Sequence, residues 1–259
     1  MPHDHPASLE SAPVTGPRIV RTRHDVKSRW VSVVEAIELT PSMRRVTFAG
    51  DALLDFASDA FDDHFKLSFP SAGGVARRDY TPRRYRPDAR ILVVDFAIHD
   101  AGPATAWAMQ ATPGDEIEII GPKSSKRVNQ SDVSRWLLVG DETALPAISR
   151  MIEESEAGTE ISSLIAVAGP QDEQTFNTEA SVSVSWIHRG PCAPEDATLL
   201  LSKLADALVG AGTFVWIAGE AVMARRIRDH FIALGHPKGW MKAGGYWVRG
   251  QSNAHERID

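Results

Sequence analysis

The stretch Trp136-Leu137-Leu138-Val139-Gly140-Asp141-Glu142-Thr143-Ala144-Leu145-Pro146-Ala147 is where the rhythm of the chain changes. A short apolar run ends in a Gly-Asp turn, and a helical pattern opens with proline in its first turn, where no backbone donor is lost. The same alternation continues downstream. Leu145–Glu154, Ala197–Leu208 and Ala221–Leu234 carry helical spacing. Between them Ile161–Val167, Val182–Ile187, Phe214–Ala218 and Gly245–Val248 are strand-like runs. Strand and helix in alternation predict a parallel sheet covered by helices on both faces.

Upstream the period is different. Trp30–Ile37, Met43–Ala49, Phe65–Phe69, Ile91–Ile98 and Glu116–Ile120 are short alternating or apolar runs bounded by Gly, Pro and Asp. They predict a small antiparallel barrel or sandwich. One helix interrupts it, Ala104–Ala111, opening after Gly102-Pro103. The polar stretch Lys123–Ser134 lacks apolar periodicity and is the expected boundary. The division is therefore a leader at 1–18, a first domain at 19–130, a second at 131–250 and a tail at 251–259.

With 259 residues, 43% of them hydrophobic, the chain can bury two cores. A net charge of −6 argues against a general nucleic-acid binder, because phosphate backbones are met by a basic excess. One cysteine, Cys192, excludes an internal disulfide and a thiolate metal cluster. The start MPHDHPASLESAPVTGP has no signal-peptide core, and no run reaches about 18 apolar residues. The expectation is a soluble, cytoplasmic protein without membrane insertion, whose leader holds His3 and His5 only as chance metal ligands. Most tryptophans, Trp30, Trp136, Trp186 and Trp216, fall in strands and are expected in the core.

Against this acidity, six arginines lie between Arg77 and Arg90, opposed only by Asp79 and Asp88. Tyr80 and Tyr85 sit among them, so the segment offers guanidinium groups for phosphate and aromatic faces for a planar ring. On charge alone a solvated basic loop is the more ordinary explanation. The start of the following helix, Gly102-Pro103-Ala104-Thr105, exposes backbone N–H groups that with the helix dipole attract an anion.

Taken in order, Arg78-Asp79-Tyr80-Thr81-Pro82-Arg83, Val94-Asp95-Phe96-Ala97-Ile98-His99, Gly102-Pro103-Ala104-Thr105-Ala106-Trp107 and Gly121-Pro122 resemble the FAD domain of siderophore-interacting proteins. Val139–Ala147, Trp186-Ile187-His188-Arg189, Trp216-Ile217-Ala218-Gly219-Glu220 and Gly245-Tyr246-Trp247-Val248-Arg249-Gly250 resemble that family's reductase domain. One departure is Lys123-Ser124-Ser125-Lys126-Arg127, where the family often has a glycine soon after the Gly-Pro pair.

The resemblance implies a two-domain β plus α/β fold: an antiparallel Greek-key FAD-binding barrel, then a parallel-sheet nicotinamide-type α/β domain. It implies that Arg78, Tyr80, Thr81, Arg83, Asp95 and His99 seat the flavin and that Gly102, Ala104 and Thr105 receive its pyrophosphate. Thr143, Ala144, Gly219, Glu220 and Trp247 become candidates near the nicotinamide or the flavin ring. Lys66, Arg127 and Arg249 become a basic pocket for a ferric siderophore. No residue is expected to act as acid, base or nucleophile, because the flavin carries the electrons. The donor is NADPH, NADH or a ferredoxin; Asp172, Glu173, His188 and Arg189 leave the two nucleotides open. The implied activity is FAD-dependent ferric-siderophore reduction to release Fe(II). A general flavin reductase or electron-transfer flavoprotein with another acceptor, and a non-catalytic ferric-siderophore binder, are the alternatives.

Overall fold

The computed structural model describes residues 16–99, 102–205, 209–251 and 256–258. His3, His5 and most of the expected leader therefore lie outside the described residues, as does the end of the helix expected at Ala197–Leu208.

The first half is built from β1 (Ile19–Arg23), β2 (Ser28–Thr40), β3 (Met43–Ala49), β4 (Phe65–Ser71), β5 (Gly74–Tyr80), β6 (Arg84–Arg86), β7 (Ile91–Ala97), α1 (Pro103–Gln110), β8 (Glu116–Ile120) and β9 (Ser124–Val128). Seven strands pair antiparallel in the order β5-β4-β8-β2-β3-β7-β6. Along β2 and β4, alternate residues such as Val31, Val33, Phe65, Leu67 and Phe69 are buried, as half-covered strands require. The sheet is strongly curled. Four ladder steps separate β4 from β7, about 19 Å in a flat sheet, yet the rings of Phe69 and Phe96 lie 6.4 Å apart. One core fills the concavity, with α1 as a plug through Ala104, Ala108 and Trp107. The order starts at β5 and ends at β6, so among the described residues the sheet is a half-barrel. The stretch expected to be an unpatterned boundary contains β9, which pairs antiparallel with β1. Its Ser125 and Val128 are buried, a period-of-three pattern that strand alternation does not reveal.

The second half holds β10 (Arg135–Asp141), α2 (Leu145–Glu153), β11 (Glu160–Val167), β12 (Ser181–His188), α3 (Thr198–Leu204), β13 (Thr213–Glu220), α4 (Ala221–Ala233), β14 (Met241–Trp247) and β15 (Glu256–Ile258). The order is β12-β11-β10-β13-β14-β15, parallel except for β15. Strand alternation sends Trp136, Leu138 and Trp216 to the face covered by α2. Leu137, Val139, Val215 and Ile217 go to the face covered by α3 and α4. Helices on both faces confirm the α/β expectation. Two tryptophans depart from it: Trp30 is 63% exposed, because Val31 and Val33 take the inward positions of β2. Trp186 is half-buried, stacked on Phe176 at 6.2 Å.

The halves are tied by polar groups. Arg150 on α2 donates to Ser58 Oγ at 2.9 Å and Ala60 O at 3.0 Å, and Trp216 Nε1 donates to Asp62 at 2.8 Å. Ser42 donates through N and Oγ to Asp172 at 3.0 and 2.6 Å. No helix among the described residues is long and apolar enough to cross a membrane.

Candidate cofactor cleft

Between the curled sheet and the carboxyl ends of the parallel strands lies a cavity of about 1020 Å³. This is at the upper end of the usual ligand-pocket range, and ligands settle at such strand ends in α/β sheets.

Its first wall is β5 with the loop after it. Arg78 and Tyr80, two apart in a strand, face the same side, and both line the cavity with Thr81. Tyr80 is wedged against Phe96 at 4.5 Å and Phe69 at 6.0 Å between ring centres, and burial pushes its phenol well above the ordinary tyrosine range. Among the described residues Arg78 has no carboxylate partner; its recorded bond is to Arg77 O at 2.9 Å. The neighbouring arginines are committed differently. Arg77 faces Glu118 at 3.7 Å, Arg84 meets Glu153 at 3.2 Å, and Arg90 pairs with Asp51. Arg83, expected at the flavin, lies behind the wall, buried and bonded through both terminal nitrogens to Glu153.

The second wall is the end of β7 and the start of α1. Asp95 lines the cavity but is gripped by Arg45 at 2.7 and 2.8 Å. Gly102 precedes α1 in an extended conformation, Pro103 opens the helix, and no side chain among the described residues caps it. Its first-turn N–H groups therefore keep their hydrogen-bonding capacity where Gly102, Ala104 and Thr105 face the cavity.

The third wall comes from the parallel sheet. Asp141, buried at the end of β10, organises it. Its Oδ1 accepts from Thr143 N and Oγ at 2.9 and 2.5 Å, and its Oδ2 from Glu220 N and Trp247 Nε1 at 2.8 and 3.0 Å. Thr143 and Trp247 line the cavity. Ala144, Gly219 and Glu220 do not; they build what lies behind it. Ala144 is buried at the start of α2. Gly219 has φ +146°, and a Cβ there would stand 2.7 Å from Asp141 Cγ. Glu220 caps α4, accepting from Val222 N and Met223 N at 2.6 and 3.1 Å. Trp247 stacks on His99 with ring centres 5.1 Å apart and planes 15° apart, so the two sheets meet across the cavity.

Glu142 and Arg189 form a bidentate pair with both bonds at 2.6 Å. Burial raises the Glu142 carboxyl above the ordinary range despite that pair, with the Asp141 charge adding to the rise. Arg189 is thus already held by a carboxylate.

The three basic residues expected to form a substrate pocket are not brought together. Lys66 pairs with Asp79 at 2.8 Å, Arg249 with Glu195 at 2.8 Å, and Arg127 is exposed on β9. Each sits on a different element. The cavity is instead edged by Lys123, Lys126 and Lys242, with Asp62 and Asp63; Lys242 pairs with Asp62. These were not singled out from the sequence. The available signals were the tandem acids Asp62-Asp63 directly before a buried strand and a lysine inside the run Met241–Trp247.

The donor set suits a flavin dinucleotide. An arginine without a carboxylate partner and an uncapped helix start match a pyrophosphate, and Tyr80 with the Thr81 hydroxyl matches a planar polar ring.

Comparison with known proteins gives a consistent picture. Residues 133–250 match the siderophore-interacting protein family, and residues 32–77 and 75–126 match the siderophore-interacting FAD-binding domain. An NADPH-dependent ferric-chelate reductase of Escherichia coli is 29% identical over 88% of this chain and 95% of its own length. A ferric vibriobactin reductase of Vibrio cholerae is 25% identical over 88% of this chain and 92% of its own. A siderophore utilization protein from T. fusca, known as a crystal structure, is 34% identical, with TM-score 0.86 over 92% of this chain and 98% of that one.

Proposed function

This chain belongs to the siderophore-interacting protein family, and from that premise we propose that it is an FAD-dependent reductase that takes electrons from NADPH and delivers them to ferric siderophores, releasing Fe(II). The observation that carries the reading is the cleft in which Arg78, Tyr80, Thr81 and the uncapped start of α1 face one space. When bound, FAD supplies the exchange between a two-electron organic donor and one-electron iron.

In this reading residues 19–130 hold the cofactor and residues 131–250 the nicotinamide nucleotide. Arg78 and the first-turn N–H groups of α1 neutralise the pyrophosphate. Thr81 offers its hydroxyl to the ring edge, and Tyr80 keeps one side of the site apolar. Thr143 and Trp247, fixed by Asp141, shape the opening on the nicotinamide side. His99, stacked on Trp247, closes the site toward solvent. Lys123, Lys126 and Lys242 supply the positive edge that an anionic ferric chelate requires, in a chain that is acidic overall. NADPH as donor is supported by the name of the Escherichia coli relative. The chelate's hard oxygen donors hold Fe(II) less tightly than Fe(III), which is why reduction frees the metal.

Fluorescence titration of the FAD-free protein with FAD tests the first step. Saturable binding by the wild type, with Thr81→Ala and Arg78→Ala each weaker, is expected. Absence of binding would remove the basis of the reading.

A further inference from the structure

A second, smaller cavity of about 300 Å³ lies beside the Gly121-Pro122 turn before β9, lined by Arg23, His24, Lys27 and Arg29 among others. One residue of the small cavity and one of the cofactor cleft are bridged by a buried hydroxyl. His24 Nε2 is 2.8 Å from Ser125 Oγ, and Ser125 Oγ is 2.6 Å from Asp63 Oδ2. His24 opens on the small cavity, Asp63 lines the cleft, and Ser125 is 1% exposed. We propose that His24, Ser125 and Asp63 form a proton path from the small cavity into the cleft.

The local fold explains the alignment. The β1–β9 ladder pairs Arg23 with Ser124, and His24 N donates to Lys123 O at 3.1 Å, which sets His24 beside Ser125. Asp63 is fixed from its own loop, where Ala60 N donates to Oδ2 at 2.9 Å and Ser58 Oγ at 3.2 Å. Ser125 Oγ has one hydrogen and two acceptor positions. With its hydrogen on Asp63 it accepts from Asp59 N at 3.2 Å and from His24 Nε2–H. If the His24 proton moves to Ser125 while the Ser125 proton moves to Asp63, the same atoms stay bonded with the donors reversed. The charged groups facing the path are Asp62 and Arg150 toward Asp63 and Asp59, 3.8 Å from His24. Burial lifts the Asp63 carboxyl above the ordinary range, with Asp62 adding to it and Ser125, Ala60 and Arg150 opposing. It therefore holds a proton at a higher pH than a solvated aspartate.

The path answers a need of the proposed reaction, on which its purpose rests. Oxidation of one NADPH yields two electrons and one proton. Two ferric chelates accept one electron each, and each ligand oxygen that leaves Fe(II) takes up one proton. For the first ligand oxygen freed from each iron, two protons are used and one is supplied; the later oxygens take theirs from bulk solvent. The second comes from water: Asp63 gives its proton to the ligand oxygen, solvent in the small cavity adds a proton to His24 Nδ1, and as His24 Nε2 passes its proton to Ser125 the Ser125 proton moves to Asp63, leaving a neutral imidazole that resets by exchanging its tautomer.

Two measurements decide it. In the FAD-free full chain, histidine ¹⁵N resonances are followed against pH, with His24 assigned through His24→Gln. The path predicts a His24 curve with a second inflection from Asp63, absent in Ser125→Ala and Asp63→Asn and kept in Ser125→Thr. In the reduced holoenzyme mixed with iron(III) 2,3-dihydroxybenzoate and phenol red, Ser125→Ala slows proton uptake roughly tenfold or more, and Ser125→Thr restores it. A His24 curve identical in wild type, Ser125→Ala and Asp63→Asn overturns the path, as does wild-type proton uptake by Ser125→Ala. The first measurement needs no iron, so a wild type that fails to reduce the chelate would count against the reductase reading and leave the path decided by resonance.

Discussion

The Arg83 guanidinium meets the Glu153 carboxylate in two hydrogen bonds of 2.9 and 2.7 Å, joining the loop after β5 to the end of α2. Arg83 is 6% exposed, so removing its hydrogen-bonded partner leaves a buried cation that, among the described residues, faces only Asp95, at 3.7 Å. Glu153→Ala is expected to cost about 3 kcal/mol, the scale for a broken buried pair, and to lower Tm by roughly 6–12 °C. Replacing both residues by leucine or methionine should recover much of this loss. A thermal-unfolding series on the three variants checks it; an unchanged Tm in Glu153→Ala would show that the pair does not tie the two halves.

Acid should act through Asp55. Bonds from Lys27, and then from Arg29, hold its carboxyl down at about 2, below the unfolded value of about 4. A lowered folded-state value means that the stabilisation is complete above about pH 4 and is lost as the pH falls through about 2. Asp55→Asn should flatten the pH dependence of stability in that window. Because Asp55 is largely solvent-exposed, the change is small, and denaturant midpoints at pH 5, 3.5 and 2.5 would reveal it.

Gly219→Ala forces a side chain into the space of Asp141 and Met223 at a φ of +146°. The expected loss is about 1–3 kcal/mol. Displacing Asp141 also releases Trp247 Nε1, so near-ultraviolet circular dichroism should change together with the denaturation midpoint. A variant with the wild-type tryptophan spectrum would argue that Asp141 does not fix Trp247.

In the cofactor cleft, Arg78→Ala removes a cation that has no carboxylate partner among the described residues. FAD affinity should fall about 10- to 100-fold, the equivalent of about 1.5–3 kcal/mol for a charged hydrogen bond. Arg90→Ala, on an arginine committed to Asp51, should bind FAD as the wild type does. Equal losses in both would point to a diffuse charge effect.

For the ferric substrate, Lys242→Ala should raise KM several-fold and weaken its salt dependence, because it takes a positive group from the cleft edge and leaves Asp62 unopposed. Arg249→Ala removes a charge already met by Glu195 outside the cleft and should change KM little. The reverse order would restore the pocket of Lys66, Arg127 and Arg249 expected from the sequence.

Much of the fold could be read from period alone. Met43–Ala49 and Glu116–Ile120 have the bounds their patterns predict, since one apolar face decides a strand. β5, β6 and β9 escaped because their stability comes from neighbours: β5 and β6 are edge strands carrying two arginines each, and β9 buries Ser125. The cleft was legible where backbone chemistry marks the sequence, as at Gly102-Pro103 and Arg78–Thr81. It was not legible where a side chain's partner lies far along the chain. Arg83 and Glu153 are 70 residues apart, Lys242 and Asp62 are 180 apart, and Glu220 is spent on its own helix.

In the proposed reaction one bound flavin connects a nicotinamide donor to ferric iron. That connection is tested most directly by an anaerobic visible-absorbance titration of the FAD-loaded protein. NADPH is added first, then a panel of ferric siderophores with an Fe(II)-specific chelator present. NADPH should bleach the flavin band, a ferric siderophore should restore it, and the Fe(II) complex should appear at two per NADPH consumed. A flavin that bleaches but returns no Fe(II) with any ferric siderophore would contradict the proposed reaction.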